Sequence, residues 1–264
     1  MNVENTSNFS QVPRSESQQA TLLHQLPLAQ GADKTIASRP PTESQLESKL
    51  ALAVTEALWP EAPTGPRVSL LYLCWHRMLD ISFGLLGALL LLLLLPLIAF
   101  CIYIDSPGPI FYQQERVGYR GKPFYILKFR SMKPDAEKAG QAVWAARGDT
   151  RVTRVGRLLR ATHLDELPQV LNILRGEMSL IGPRPERQIF VDQLAKTIPF
   201  YCCRLSVRPG LTGWAQVKYP YASSDYDALI KLQYDLYYIN HQSFTLDMLI
   251  VFKTITEVLL CRGR

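Results

Sequence analysis

Between Asp80 and Asp105 the chain runs ISFGLLGALLLLLLLPLIAFCIYI, 24 residues without a charged side chain. A domain in water has little room to bury so long an apolar run on all sides. As a helix at about 1.5 Å per residue the run reaches about 36 Å, enough for a hydrocarbon core about 30 Å thick. A membrane location follows from the residues alone. The way the segment sits does not. Pro96 interrupts the hydrogen-bond ladder past the middle. Cations stand on both sides, Arg67, His76 and Arg77 before it and Arg116, Arg120, Lys122, Lys128 and Arg130 after it. The positive-inside bias therefore names no cytoplasmic end. A kinked spanning helix and a segment that bends at Pro96 and returns to one face both satisfy the sequence.

The remaining chain divides around this segment. Residues 1–66 hold much Ser, Thr, Gln and Pro and few aromatics, too little apolar area to offset ordering entropy, and are expected to be a disordered polar tail. The start, MNVENTSNFS, lacks the basic and apolar regions of a secretory signal. Within 44–60, Leu46, Leu50, Val54 and Leu58 recur every four residues, which predicts a short amphipathic helix ending before Pro60. Residues 67–105 are expected to form the membrane-embedded segment, with the hydrophobic helix at 81–104, and 106–264 a domain outside the hydrocarbon. In that domain SPGPIFYQQ and KPFYILKFRSM read as two strands around a turn. TRVGRLLRATHLDELPQVLNILRGEM, 153–178, reads as helix with Gly176 as its stop. VRPGLTGWAQV reads as loop or strand. YDALIKLQYDLYYI and FTLDMLIVFKTITEVLL read as amphipathic helices. The fold class expected is α+β, mainly helical: a small membrane-associated domain with short strands and interfacial helices.

A net charge of +6 suits an anionic partner without choosing one. The five cysteines show neither metal spacing nor a disulfide framework and are expected as reduced thiols. No Walker-type or dinucleotide phosphate loop occurs, and no nucleic-acid module, so a nucleic-acid partner is not expected.

The chemistry concentrates in 160–185. Asp165 and Glu166 are neighbours, so in a helix they point about 100° apart and take different roles. Pro168 sets them at a helix N-terminus, with the helix beginning at Pro168 or capped by Thr162 or His163, and such an end attracts anions. Arg151, Arg154, Arg157 and Arg160 lead in. The first three suit a solvated or headgroup-facing stripe, while Arg160, close to Asp165, suits phosphate. A carboxylate beside a phosphate needs a cation between them. Mg²⁺ meets that need, because it binds one or two carboxylates together with substrate phosphates. One acid can then attack phosphorus while the other helps hold the ion. A plain helix-capping role for both acids satisfies the same residues. The prolines of Pro183-Arg184-Pro185 fix the backbone around Arg184 and suit a held contact to a nucleotide, or a surface turn.

KFRSM (128–132), RATHLDELPQVLNILRGEMSLIGPRP (160–185) and VRPGLTGWAQV (207–217), in that order after a proline-containing hydrophobic segment, resemble the bacterial sugar transferases known as monotopic polyprenyl-phosphate phosphoglycosyl transferases. The likeness covers roughly 72–264. It implies transfer of a sugar 1-phosphate from a UDP-sugar to undecaprenyl phosphate at the cytoplasmic face of the bacterial inner membrane, in the initiating step of surface-glycan synthesis. It further implies Asp165 as the nucleophile of a covalent phosphosugar intermediate, and Glu166 as its support, with both acids at Mg²⁺. Arg160 would meet phosphate and Pro183, Arg184 and Pro185 would lie against the nucleotide. Lys128, Arg130, Arg208 and Asp235 match as substrate-site residues without assigned roles. The resemblance favours a re-entrant, proline-broken helix, although Leu95 stands where many relatives have Ser, and His163 likewise. Its final stretch is most similar to the exopolysaccharide and capsule branch, often glucose- or galactose-specific. Anionic lipids, a second copy of the chain and other glycan-assembly enzymes are the further partners it implies. Two competing readings stay open: a sugar-only transferase using the D-x-D pair Asp225 and Asp227, and a non-catalytic membrane scaffold.

Overall fold

The computed structural model describes residues 68–134, 136, 149–219 and 225–260. The expected tail and the 44–60 helix lie outside them.

Helix α1 (Leu70–Asp105) opens on Ser69, whose hydroxyl accepts the Tyr72 N–H at 3.2 Å. It is followed by a hairpin of β1 (Phe111–Val117) and β2 (Pro123–Phe129), antiparallel with Phe111 opposite Phe129. Helix α2 (Arg154–Ala161), a 3-10 turn (Leu164–Gln169) and α3 (Val170–Arg175) come next. Strand β3 (Ser179–Ile181), α4 (Gln188–Thr197), a second 3-10 turn (Tyr201–Ser206) and β4 (Gly210–Thr212) follow, with β3 and β4 parallel. Helices α5 (Trp214–Lys218), α6 (Asp225–Asn240) and α7 (Phe244–Leu259) close the described chain. The architecture is α+β and mainly helical, as the sequence predicts.

The long α1 presents one stripe to the domain. Asp80, Gly84, Gly87, Leu91, Ile98 and Ile102 are buried, at helical spacings, while Leu85, Leu86, Leu89, Leu92, Leu93, Leu97 and Phe100 stay exposed. Pro96 lies within the helix, and helical structure continues on both sides of it. At Gly84 and Gly87 α3 packs so closely that a neighbour would have to shift for any side chain, since a Cβ would stand 2.6 Å from Leu174 Cδ2 and 2.6 Å from Val170 Cγ1.

Both ends of α1 are tied to the same domain. Near its start Tyr72 donates to Asp247 Oδ2 at 2.8 Å, and Arg77 donates to the Ile173 and Leu174 carbonyls at 2.9 and 3.0 Å, satisfying the end of α3. Asp80 Oδ1 accepts from the Ser179 hydroxyl at 2.8 Å and the Leu180 N–H at 2.7 Å. At the other end Asp105 Oδ2 accepts the Val155 N–H in the first turn of α2 at 2.8 Å, and Arg130 donates to the Ser106 and Pro107 carbonyls.

Helix α7 inverts the amphipathicity of a water-soluble helix. Its polar Asp247 is fully buried and its Thr254 hydroxyl meets that of Thr212 at 2.6 Å, whereas Leu249, Phe252 and Ile255 face outward. The exposed leucines of α1 and these residues together make a surface suited to lipid. Away from it, Val117, Val191, Leu194, Ile198, Leu232, Leu236 and Ile239 build an ordinary apolar core between β1, α4 and α6.

Candidate active site

The segment 153–178 is not one helix. His163 adopts a left-handed conformation at φ 58°, which ends α2, and Pro168 sits in the 3-10 turn beyond it. Asp165 and Glu166 occupy the first turn of that short element, and His163 precedes it without capping through its side chain. Leu164 and Leu167 flank the two acids and pack into the cluster formed by Leu91, Ile98 and Ile102 of α1. The pair is thus held against the membrane helix by its own apolar neighbours.

Asn172, fully buried, sets the hairpin against this element. Its Oδ1 accepts the Leu127 N–H at 3.1 Å and its Nδ2 donates to the Tyr125 carbonyl at 2.8 Å, so its amide pairs with β2 as a strand would. That register carries Lys128 to Glu166, with Nζ 2.6 Å from Oε1. Arg184 reaches the same carboxylate, Nη2 lying 2.5 Å from Oε1 and Nη1 3.5 Å from Oε2. Burial alone would raise the Glu166 carboxyl, but Arg184 and Lys128 outweigh it and hold the group well below the usual carboxylate range. Lys128 is itself drawn down by burial, against the pull of Glu166. Arg184 is held up by Glu166.

Asp165 is the opposite case. It is 8% exposed, and among the described residues its carboxylate takes no hydrogen bond. Burial, then the negative charge of Glu166, push it up to about 6, while Lys128, Arg160 and Arg184 pull the other way. The neighbours have therefore divided: Glu166 is a fixed anion between two cations, and Asp165 is a destabilised carboxylate with open oxygens. A carboxylate so placed has ground-state energy to lose on meeting an electrophile or cation.

Arg160 donates from Nε to Ser131 Oγ at 2.8 Å and acts on Asp165 through its charge. Arg151, expected in a solvated stripe, instead grips Asp149 with Nη2 2.6 Å from Oδ2, while Arg154 and Arg157 are exposed. Four expected site residues gather here, Asp165 and Glu166 with Lys128 and Arg184, and Arg160 acts alongside them. Pro183 and Pro185 brace Arg184. Arg130 sits instead at the end of α1, Arg208 is exposed before β4, and Asp235 is buried on Arg204 at 2.8 Å. Of the D-x-D pair, Asp227 accepts from the Tyr219 hydroxyl at 2.7 Å and Asp225 opens α6. Sequence reading missed Asn172, Arg116 and Arg204: Asn172 lies in a stretch read only as helix, the two arginines lie outside the stretches read as elements, and the partners of all three include residues distant in sequence.

Among the described residues no three His, Cys, Asp or Glu side chains gather into a metal cluster. Glu166 is already committed to two cations, whereas the oxygens of Asp165 are open. Asp165 and Glu166 are of the chemistry that suits a magnesium ion, and would hold one together with water and a substrate phosphate, the usual manner for this ion.

Residues 71–261 match the family model described as bacterial sugar transferase. The chain is 53% identical over 161 residues to the UDP-N-acetylgalactosamine-undecaprenyl-phosphate N-acetylgalactosaminephosphotransferase of Aeromonas hydrophila, a match covering 61% of this chain and 38% of that one. It is 42% identical over 201 residues to the UDP-glucose:undecaprenyl-phosphate glucose-1-phosphate transferase of Caulobacter vibrioides, covering 75% and 74%. It is 37% identical over 196 residues to the exopolysaccharide production protein PSS of Rhizobium leguminosarum bv. phaseoli, covering 71% and 96%.

Proposed function

The chain belongs to the bacterial sugar transferase family, and from that premise we propose that it transfers a sugar 1-phosphate from a UDP-sugar to undecaprenyl phosphate, releasing UMP. One observation carries the reading: of two adjacent carboxylates beside the membrane helix, Glu166 is neutralised by Lys128 and Arg184 while Asp165 is buried with open oxygens. A nucleophile needs an ionised oxygen without a competing bond, and the diphosphate needs nearby cations.

An Asp165 oxygen attacks the sugar-bearing phosphorus of the donor. The bond from that phosphorus to the bridging oxygen breaks, and UMP leaves with the electron pair. An oxygen of undecaprenyl phosphate then attacks the same phosphorus, returning the carboxylate and yielding the lipid diphosphosugar. Lys128, Arg184 and Arg160 offset the charge that builds on the phosphates, and Glu166 keeps the first two in place. Asp165 and Glu166 are the acids that would hold Mg²⁺, which when bound would neutralise phosphate charge. The acceptor is a lipid phosphate, which suits a site built on the membrane helix. The re-entrant arrangement of 81–104, with the domain on the cytoplasmic face of the inner membrane, belongs to the same reading. The sugars named for the relatives differ, N-acetylgalactosamine and glucose.

The test is product analysis with the full chain in vesicles, Mg²⁺, undecaprenyl phosphate and a set of UDP-glucose, UDP-galactose and their N-acetylated analogues. One donor should release UMP, and Asp165→Asn should lower that rate by roughly three orders of magnitude or more. UDP as the sole nucleotide would replace the reading with sugar-only transfer. Undiminished turnover in Asp165→Asn would remove the covalent step, and undiminished glycan production without turnover would leave a scaffold.

A further inference from the structure

The turn at 183–186 is held by four consecutive backbone carbonyls. Pro183 O accepts the Gly210 N–H at 2.9 Å, Arg184 O accepts from Arg204 Nη2 at 3.0 Å, Pro185 O accepts from Arg116 Nη1 at 3.1 Å, and Glu186 O accepts the Val117 N–H at 2.9 Å. The two outer donors are backbone amides of β4 and β1. The two inner ones are arginines. Two prolines in the same turn remove conformational freedom and donors that could pair elsewhere.

Arg204 is the more constrained of those arginines. It is 8% exposed, and Nη1 donates to the Tyr201 hydroxyl at 2.8 Å while Nη2 is shared between the Arg184 carbonyl and Asp235 Oδ2, the latter at 2.8 Å. Asp235 is 2% exposed, so it meets Arg204 and not solvent. Burying an ion pair is a costly way to satisfy one carbonyl, because desolvation consumes most of the attraction. What the pair supplies is direction: a planar fork, aimed by Asp235 and Tyr201, that fixes the backbone of the residue whose own guanidinium lies on Glu166.

We infer that Arg204, aimed by Asp235 and Tyr201, is a positioning residue that sets where Arg184 meets Glu166 and the donor diphosphate. Asp235 serves the site through Arg204 and touches no substrate. The inference rests on the phosphosugar-transfer reading for its setting, and its test separates the two. Misplacing a charged contact by about 1 Å can cost about a hundredfold in rate.

The test is a double-mutant cycle in the full membrane-bound chain, with radiolabelled UDP-sugar and the release of either nucleotide counted. Arg204→Lys keeps the charge and loses the fork. It should slow release about 10–100-fold in the native background. In an Arg184→Ala background the same change should cost less than about twofold, because the group it positions is gone. An equal loss in both backgrounds would mean a merely structural role and would overturn the inference, as would an unslowed Arg204→Lys. If Arg204→Lys does not fold, Tyr201→Phe removes one of the aiming contacts, and its loss should likewise vanish without Arg184; persistence there overturns the inference too. Release of UDP in place of UMP would refute phosphosugar transfer, yet the cycle would still report on the positioning.

Discussion

Glu166 is the residue through which most of the site's charge is balanced. Lys128 and Arg184 both lean on one of its oxygens, so the change Glu166→Gln would leave two cations facing each other over a neutral amide. Arg184 retains contact with water, which tempers the penalty relative to a fully enclosed pair. A loss of about 1–3 kcal/mol is expected, read as a lower unfolding midpoint in detergent, with Lys128→Met in the same chain restoring part of the stability but not the turnover. Recovery of turnover in that double variant would remove the electrostatic role given to these cations. Asp149 supplies a prediction in pH. The paired guanidinium of Arg151 holds its carboxyl down at about 2, below its ordinary 3.8. Since the folded value is the lower one, the pair stabilises fully above about pH 4 and the contribution disappears as pH falls through about 2. The unfolding midpoint of Asp149→Asn should lie below that of the native chain from pH 5 to 7, and the two should converge between pH 4 and 2. A gap independent of pH would show that the side chain acts by packing alone.

At the scale of elements, the sequence disclosed those whose signal is local. The hairpin follows from alternation around Gly118, Gly121 and Pro123, and Gly176 stops α3 in the left-handed conformation at φ 79°. In the dyad segment Pro168 and the caps Thr162 and His163 marked a fresh helix start with the two acids in its first turn, while the continuous apolar spacing across 153–178 hid that His163 turns the chain left-handed and that Pro168 falls inside a 3-10 turn of six residues. Spacing records which side chains face a core, and it is blind to a backbone reversal between two elements that share that core. The parallel pairing of β3 with β4 was equally hidden, each strand being three residues long and its partner about 30 positions away. The dyad, Lys128 and the Pro-Arg-Pro turn were legible as motifs; the buried polar residues that aim them were not, since a lone Asn172 or Arg204 has no periodic signature. The contact of α1 with α3 gives a prediction of its own. Gly84 and Gly87 both face α3, but Gly84 meets the unbranched-at-Cβ side chain of Leu174, at 2.6 Å from Cδ2 and 2.8 Å from Cγ, whereas Gly87 meets β-branched Val170, at 2.6 Å from Cγ1 and 3.3 Å from Cβ. A helical Gly→Ala change gains about 1 kcal/mol in propensity, and overpacking costs about 1–3 kcal/mol. Gly84→Ala should therefore come out near neutral, because Leu174 can change rotamer, while Gly87→Ala should destabilise. Thermal unfolding in one detergent ranks them, and the reverse order would show that α3 moves as a unit.

For the whole molecule, the decisive relation is between the membrane helix and the domain beside it. A helix that crossed the bilayer squarely would carry its partners with it, since α1 is bonded to the domain from Tyr72 and Asp80 at one end to Asp105 at the other. Lys128, Glu166 and Arg184, tied to the same elements, would then be drawn toward hydrocarbon, where a charge costs at least about 2.5–3.5 kcal/mol. An α1 that entered and returned on one side would avoid this: its exposed leucines and the outward face of α7 would meet lipid, while the dyad would stay at the boundary, within reach of a lipid phosphate and a soluble nucleotide. Cysteines placed at Ser69 and Pro109, both exposed and flanking α1, test the difference in a chain whose five native cysteines have been replaced. In sealed, inside-out vesicles an impermeant maleimide should label both positions, and in right-side-out vesicles neither before lysis. Labelling of one position from each side would require the helix to span, and the bonds at one of its ends would then have to open in the membrane, with Tyr72, Arg77 and Asp80 or else Asp105 and Arg130 left to find other partners.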